Sequence, residues 1–526
     1  MGIYLNPGNE LFRTSVSSDI YVDKTELIKH TNKLMGTRQR YVCISRPRRF
    51  GKSMAAEMLA AYYGKNCDSE ELFSPYKIAQ STDYKKHLNH YNVIALNMQD
   101  FLNNADNIDE MIECIQEKLL LELKQVYEDV ITNTNLRLRD ALATIYTSTQ
   151  EKFIFIIDEW DCILRENLSA TEDYKKYLKF LQDLLKDKAY IALAYMTGIL
   201  PIKKYGTHSA LNMFDEYSMI SPKRFTEFIG FTESEVKTLC TQYQMDFDMM
   251  KNWYDGYTFK KATHVYNPKS VVDAILAEEY NSYWTQTETY EALKIYIDLN
   301  FDELKDSIIQ MLAGNHVKID CETFQNDMTT FHGKDDVLTL LVHLGYLAYD
   351  SEQNQVFIPN AEVRAEFVRA VKGCHWQEVI TALNNSEQLL QATWDEDNKK
   401  VAEMIDNIHM ENTSILTYND ENSLSCVISL AYFSAMNEYT QVREFPTGKG
   451  FADIVYLPKP HSDKPAMIIE LKYDKSAESA ITQIKEKHYV KALENYHGNL
   501  LLVGINYDKA TKKHSCIIEK QYLTLH

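Results

Sequence analysis

Four runs in the first 230 residues are apolar almost without interruption: YVCIS (41–45), NVIALNM (92–98), FIFII (153–157) and YIALAYMTG (190–198). Runs of this kind suit strands buried on both faces. Between them the apolar residues fall at a helical period, as in Ile108 to Val130 and Glu172 to Lys186, with Lys and Glu on the remaining positions. Strands and helices in alternation predict an α/β domain with a parallel sheet covered by helices. From about 226 to 400 the pattern turns helical and irregular. There WYDGYTF (253–259) and VYNP (265–268) read as turns, and GYLAYD (345–350) with VFIPN (356–360) as a small hairpin. Beyond about 411, a helix (424–438) leads into strands VREF, ADIVYL and AMIIELKY. A helix (476–495) and the strand NLLLVGINY (499–507) complete a second, compact α/β unit. The expected division is therefore a domain over 1–230, a mainly helical connecting region over 231–410 and a domain over 411–526.

The length of 526 residues agrees with about three domains. No apolar run approaches the roughly 18–20 residues of a spanning helix, so no membrane partner is expected. The N-terminus lacks the basic-then-apolar layout of a signal peptide. Nine scattered cysteines without a CxxC pair argue against a disulfide framework or a zinc ribbon, and a cytoplasmic protein is expected. The net charge of −19 excludes a general nucleic-acid coat, which works by neutralising phosphates. The charge is uneven, however. Arg38, Arg40, Arg46, Arg48, Arg49 and Lys52 occur in fifteen residues without one acid, and residues 451–526 carry 11 Lys against 9 acids.

The first basic island coincides with a chemical motif. YVCIS runs into RPRRFGKS (46–53) and then the helical MAAEMLAAYYG, the strand–loop–helix order of a phosphate-binding loop. Backbone N–H groups of such a loop and the helix N-terminus, with Gly51 at the turn, face a phosphate. Lys52 would reach the β- and γ-phosphates and the Ser53 hydroxyl would ligate Mg²⁺. Arg46 stands where the first glycine of the motif is usual. With Arg48 and Arg49 it either contacts phosphate directly or faces outward to a partner. FIFII ends in Asp158 and Glu159, the Walker B layout, in which Asp158 holds the magnesium shell and Glu159 polarises the attacking water. After the next strand, Thr197 takes the place of a polar sensor of the γ-phosphate.

A second constellation lies in the C-terminal unit. In AMIIELKY, Glu470 and Lys472 share one face of a strand while Ile469 and Leu471 point the other way. Asp453 follows a glycine-containing bend and sits beside Glu470 if the two strands pair. Asp453, Glu470 and the Leu471 carbonyl would be hard oxygen ligands for Mg²⁺. The bound metal would polarise a phosphodiester, with Lys472 orienting the water or offsetting charge. Gln483 and Lys487 lie one turn apart on the following helix, with Tyr489 just beyond, and Glu421 opens an upstream helix as a further carboxylate.

With both constellations in hand, the sequence resembles a bacterial family that joins an AAA-ATPase-like P-loop domain to a C-terminal PD-(D/E)XK nuclease superfamily domain. The N-terminal resemblance rests on YVDKTELI (21–28), SRPRRFGKS (45–53), IIDEWD (156–161) and TGILPI (197–202). FIGFTESEV (228–236), WYDGYTF and VYNPKSVV match the centre. REFPTGKGFADIVYLP (443–458), IIELKYD (468–474), QIKEKHY (483–489) and LLVGINYD (501–508) match the C-terminal end. The resemblance implies a P-loop NTPase sheet, a mainly helical centre and a restriction-endonuclease-like α/β domain. It also implies ATP and Mg²⁺ as cofactors, and Arg46 as part of the family's own loop pattern. Two readings follow. In the first, ATP binding and hydrolysis control a metal-dependent nuclease acting on DNA. In the second, the chain is a nucleotide-dependent switch or scaffold whose nuclease-like domain binds a protein partner without catalysis. A homo-oligomer is left open.

Overall fold

The computed structural model describes residues 2–523 except 133–135, 166–170, 203–210, 261, 285–289, 300, 326–330, 375, 413–420, 447–450, 460–461 and 488–497. The chain forms two compact units, Met1–Glu288 with Lys318–Ala365, and Thr289–Val317 with Glu366–His526. Residues of the connecting region expected over 231–410 are thus divided between the two.

The first unit is built on a parallel sheet of β1 (Tyr41–Ser45), β2 (Asn92–Asn97), β3 (Phe153–Asp158), β4 (Ile191–Gly198) and β5 (Asp215–Tyr217). Its order is β2-β3-β4-β1-β5, and all neighbours run parallel. Every residue of β1, β3 and β4 is buried, as their unbroken apolar runs require. The expected strands are all present. The three-residue β5, Asp-Glu-Tyr, has no apolar run by which it could be read in advance. The spatial order has one large consequence: β4 lies between β1 and β3, so the carboxyl ends of all three strands are adjacent. The longest helix of this unit, Ile108–Val126, starts where the Asn107 side chain accepts the Glu110 N–H. It buries Ile108, Met111, Ile115, Leu119 and Leu123, the stripe that its spacing predicts.

The same unit carries a small antiparallel sheet of β6 (Phe231–Thr232), β7 (Tyr257–Phe259) and β8 (Ala262–Tyr266), in the order β6-β8-β7. Two of the expected turns are therefore partly strand. VYNP does end β8, where Asn267 caps the helix Pro268–Ala277 with its proline at the first turn. A further small sheet has the two-residue β9 (Val317–Lys318) at one edge and contains the expected hairpin, β10 (Ala348–Asp350) against β11 (Gln355–Phe357), in the order β10-β11-β9.

The second unit contains a mixed sheet in sequence order, β12 (Tyr439–Pro446), β13 (Phe451–Pro458), β14 (Ala466–Tyr473), β15 (Gly498–Asp508) and β16 (Lys513–Leu523). Neighbours are antiparallel except β14 and β15, which run parallel. The helix Ala477–Glu486 lies on the crossover between those two and packs Ile481 and Ile484 against Ile468, Leu500 and Leu502. The upstream helix expected over 424–438 is two pieces, Glu421–Ala431 and Ala435–Glu438. The helix approaches β15 so closely that a Cβ on Gly504 would meet the Ala477 carbonyl oxygen at 2.5 Å and the Ile481 side chain at 3.0 Å. Gly504→Ala should therefore destabilise this unit by about 1–3 kcal/mol, because backbone must give way. Urea unfolding followed by circular dichroism checks this, and a midpoint equal to the parent's would contradict it.

Candidate functional site

β1 ends at Ser45, and the chain turns through residues 46–51 into the helix Lys52–Tyr63. Gly51 has φ +89°, and a Cβ there would meet nothing within 4 Å, so backbone conformation and not space selects glycine. The turn opens on a cavity of about 650 Å³, lined by Arg48, Arg49, Gly51, Lys52, Ser53 and Glu159. Apolar and aromatic groups complete the lining, among them Phe12, Tyr21, Val22, Phe228 and Phe231. One cavity thus combines cationic and N–H donor groups with a surface suited to a flat base.

Lys52 is 4% exposed and donates from Nζ to the Pro47 carbonyl at 3.0 Å. Burial pushes its ammonium pKa down, while the carboxylates of Glu159, Asp158 and Asp161 act to raise it. Arg46 occupies a different place from its neighbours. Its side chain is fully buried and donates from Nη1 to the carbonyls of Ser45 (2.9 Å) and Tyr217 (3.1 Å), with the guanidinium 5.4 Å from the centre of the Phe259 ring. Burial lowers its pKa to about 10. Of the three arginines, Arg48 and Arg49 line the cavity, whereas Arg46 ties the base of the loop to β5 and β7. Phe50 packs edge-on to Tyr257, whose hydroxyl donates to the Gly345 carbonyl at 2.6 Å, so the segments beyond residue 250 buttress the same loop.

The end of β3 brings in the acids. Asp158 Oδ1 accepts from the Thr197 hydroxyl on β4 and, at 3.0 Å, from the Glu159 N–H. The chain then turns at Glu159, which has φ +52°, and its carboxylate faces the cavity. Arg165 pairs with Glu159 Oε2 and also lies 3.4 Å from Asp161 Oδ2. Asp161 Oδ2 in turn accepts the N–H groups of Ile199 (3.0 Å) and Leu200 (2.7 Å), just after β4. Burial raises the Glu159 pKa, with Lys52 and Arg165 opposing. The structure therefore gathers Lys52, Ser53, Asp158, Glu159 and Thr197 at adjacent strand ends. It adds Asp161 and Arg165, which sequence reasoning did not single out. Their signal was the acid three residues beyond Asp158 followed by an arginine at i+4, visible in DEWDCILR but not distinctive.

In the second unit the β13–β14 ladder runs from Tyr456–Met467 to Ile454–Ile469. The next residue on each strand is Asp453 and Glu470, the juxtaposition expected if those strands pair. Asp453 Oδ2 accepts the Leu471 N–H at 2.7 Å. Glu470 is 1% exposed. Its Oε1 accepts from Lys472 Nζ at 2.8 Å and from the Gln483 side-chain amide. Lys472 Nζ also donates to the Leu471 carbonyl at 3.0 Å. Glu470 Oε2 is buried without a hydrogen-bond partner among the described residues. Burial, then the neighbouring Asp453, pushes the Glu470 carboxyl up to about 7, against Lys472 and Lys487. Glu470 pairs in register with Gly504, so the close approach of the helix at that glycine is also what delivers Gln483 to the carboxylate. Tyr489 and the side chain of Glu421 lie outside the described residues.

A divalent cation fits this arrangement. The unsatisfied buried oxygen of Glu470 is a costly group that a cation would stabilise, and the donors are hard oxygens. No cluster of three or more His, Cys, Asp or Glu side chains suited to a metal occurs among the described residues. A cation here would thus draw on two carboxylates, a backbone carbonyl and water. No helix among the described residues is long and apolar enough to cross a membrane.

Comparison with known proteins finds a family for a stretch at each end of the chain. Residues 11–207 match a family model described as a predicted AAA-ATPase, and residues 419–516 match the PD-(D/E)XK nuclease superfamily. A protein of Azotobacter chroococcum mcd 1, described as an uncharacterized protein in the vnfD 5′ region, is 26% identical over 284 residues, 51% of each chain. The chain thus spans about half the length of the curated relative it matches. Similar solved structures include the ADPNP-ADP complexes of the Aeropyrum pernix ORC2 protein, with 11% identity, 68% of this chain and 96% of that chain covered, and a TM-score of 0.30. The AMPPCP-bound DnaA of Aquifex aeolicus is another, with 9% identity, 68% and 90% covered, and a TM-score of 0.25. One chain thus joins an AAA-ATPase-like domain, matched over residues 11–207, to a C-terminal PD-(D/E)XK nuclease superfamily domain, matched over 419–516.

Proposed function

We propose that the chain binds and hydrolyses ATP in its first unit and cleaves phosphodiester bonds, in DNA, in its second, with nucleotide state controlling cleavage. The observation that carries the nuclease reading is the buried, half-satisfied carboxylate of Glu470 beside Asp453. A buried carboxylate oxygen without a donor is costly, and a cation shared with Asp453 would satisfy it. Asp453, Glu470 and the Leu471 carbonyl would hold the metal, which when bound polarises the phosphodiester and acidifies a water. Lys472 then offsets negative charge on the phosphate, and Gln483 keeps the Glu470 carboxylate in place. In the first unit the loop N–H groups, Lys52, Arg48 and Arg49 bind the phosphates. Ser53 and Asp158 would hold Mg²⁺, Glu159 takes the proton of the attacking water and Thr197 orients Asp158.

The test is cleavage of plasmid, linear and single-stranded DNA with Mg²⁺ or Mn²⁺, with and without ATP, by the parent, Glu470→Ala and Glu159→Gln chains. Glu470→Ala should lose cleavage while binding ATP normally, and Glu159→Gln should retain ATP binding and lose its effect on cleavage. No cleavage by the parent under any of these conditions, with ATP still bound, would replace this reading by a nucleotide-dependent scaffold that binds a protein partner.

A further inference from the structure

Arg165 is not part of the loop, the acids or the sensor position, yet it is the group to which the Glu159 carboxylate is tied. The four-residue helix Cys162–Arg165 begins directly after the turn at Glu159, where the Cys162 N–H returns to the Glu159 carbonyl at 3.1 Å. This fold-back brings the guanidinium to Glu159 Oε2 and, through Nε, to 3.4 Å from Asp161 Oδ2. Asp161 is itself fixed. It is 1% exposed and accepts both the Ile199 and the Leu200 N–H, so it belongs to the rigid end of β4, two residues beyond Thr197. Arg165 thereby links the Glu159 carboxylate to the strand that carries the Asp158 partner.

We propose that Arg165 is the positioning residue for Glu159, fixing one carboxylate oxygen against the end of β4 so that the other is presented to the cavity. The inference rests on the ATPase reading above, in which Glu159 is the base for the attacking water. A glutamate has three rotatable side-chain bonds, and a base is effective only within hydrogen-bond reach of its proton. Lys52 cannot provide this anchor, because it is the group assigned to phosphate. A planar guanidinium can hold two carboxylates at once, as an ammonium cannot with the same geometry. Arg165 touches neither nucleotide nor water in this scheme and acts only through Glu159.

The test is steady-state ATP hydrolysis and ATP affinity of the full chain with Arg165→Ala, Arg165→Lys and Glu159→Gln. Arg165→Ala should lower kcat by on the order of 10²-fold with KM and ATP affinity within about threefold of the parent, and Arg165→Lys should recover part of kcat. If Arg165→Ala does not fold, Arg165→Lys is decisive, with reduced kcat at unchanged affinity expected. A parent-like or raised kcat in the variants, or a fall in kcat accompanied by a raised KM and weakened ATP affinity, would overturn the proposal while leaving the ATPase reading intact. Hydrolysis that is absent in the parent, or that survives Glu159→Gln, would overturn both.

Discussion

Replacing Glu470 by glutamine should cut metal-dependent DNA cleavage by on the order of 10³-fold, the scale of losing a charged group that acts in the transition state. The same substitution should leave the fold intact or make it more stable. Glutamine keeps an oxygen for Lys472 and Gln483 while removing a buried charge whose second oxygen has no donor. The two effects separate with pH. The Glu470 carboxyl is pushed up to about 7 in the folded protein, above the ordinary glutamate value of about 4.3. Between those values the folded chain holds the proton and the unfolded chain releases it, so stability falls as pH rises through this window. The cost is fully expressed above pH 7. Metal-free Glu470→Gln should therefore exceed the parent in stability at pH 8, by up to about 4 kcal/mol at roughly 1.4 kcal/mol per pKa unit. The advantage should vanish near pH 4. Urea unfolding at the two pH values, in the presence of a chelator, measures this directly. Added Mg²⁺ or Mn²⁺ should then stabilise the parent and not the variant. A variant that is inactive and also less stable at pH 8 would point to a structural role for Glu470.

Lys52→Ala should weaken ATP binding by about 10²-fold, equivalent to the ~3 kcal/mol upper range for a hydrogen bond to a charged group. In the protein as described, Lys52 Nζ is held by the Pro47 carbonyl within its own loop, so the ammonium is already positioned beside the cavity. Its removal also leaves the carboxylates of Asp158, Glu159 and Asp161 with Arg165 as the named cation nearest them, which disfavours a polyphosphate electrostatically as well. Calorimetric titration with ATP and Mg²⁺ reads the affinity. Thermal unfolding gives a second measure, since the parent should gain about 2.7 kcal/mol at ATP a hundredfold above its Kd, while the variant gains little. Arg46→Ala should behave differently, because Arg46 binds the carbonyls of Ser45 and Tyr217 and not the cavity. An affinity in Lys52→Ala equal to the parent's would remove the assignment of this loop to phosphate.

The elements that carry both sites were legible because their chemistry is local. Unbroken apolar runs identified β1 to β4, and the polar residues near their ends, Asp158 with Glu159 and Thr197, were visible there, as were Lys52 and Ser53 beyond the loop that follows β1. Period-two alternation put Glu470 and Lys472 on one face of β14, and the glycine before Asp453 marked where its partner strand begins. Other features depend on contacts between residues far apart in sequence, and no periodicity reports them. The placement of β4 between β1 and β3 is a property of the sheet as a whole, and it alone makes Thr197 a neighbour of Asp158. β5 consists of Asp-Glu-Tyr and becomes a strand only by pairing with β1. Arg46 looked like its two neighbours in the sequence, but it turns into the interior, where Nη1 donates to the Ser45 and Tyr217 carbonyls and the guanidinium lies by the Phe259 ring. The same holds for Arg165, whose importance appears only when Glu159 and Asp161 are seen to converge on it. The sequence by itself determined which long apolar segments are strands, and it marked a loop of phosphate-binding type and a strand end bearing carboxylates, since spacing and residue type encode these. Tertiary structure alone decided the order of the strands and which buried charge each side chain neutralises, because both depend on what folding brings within a few ångströms.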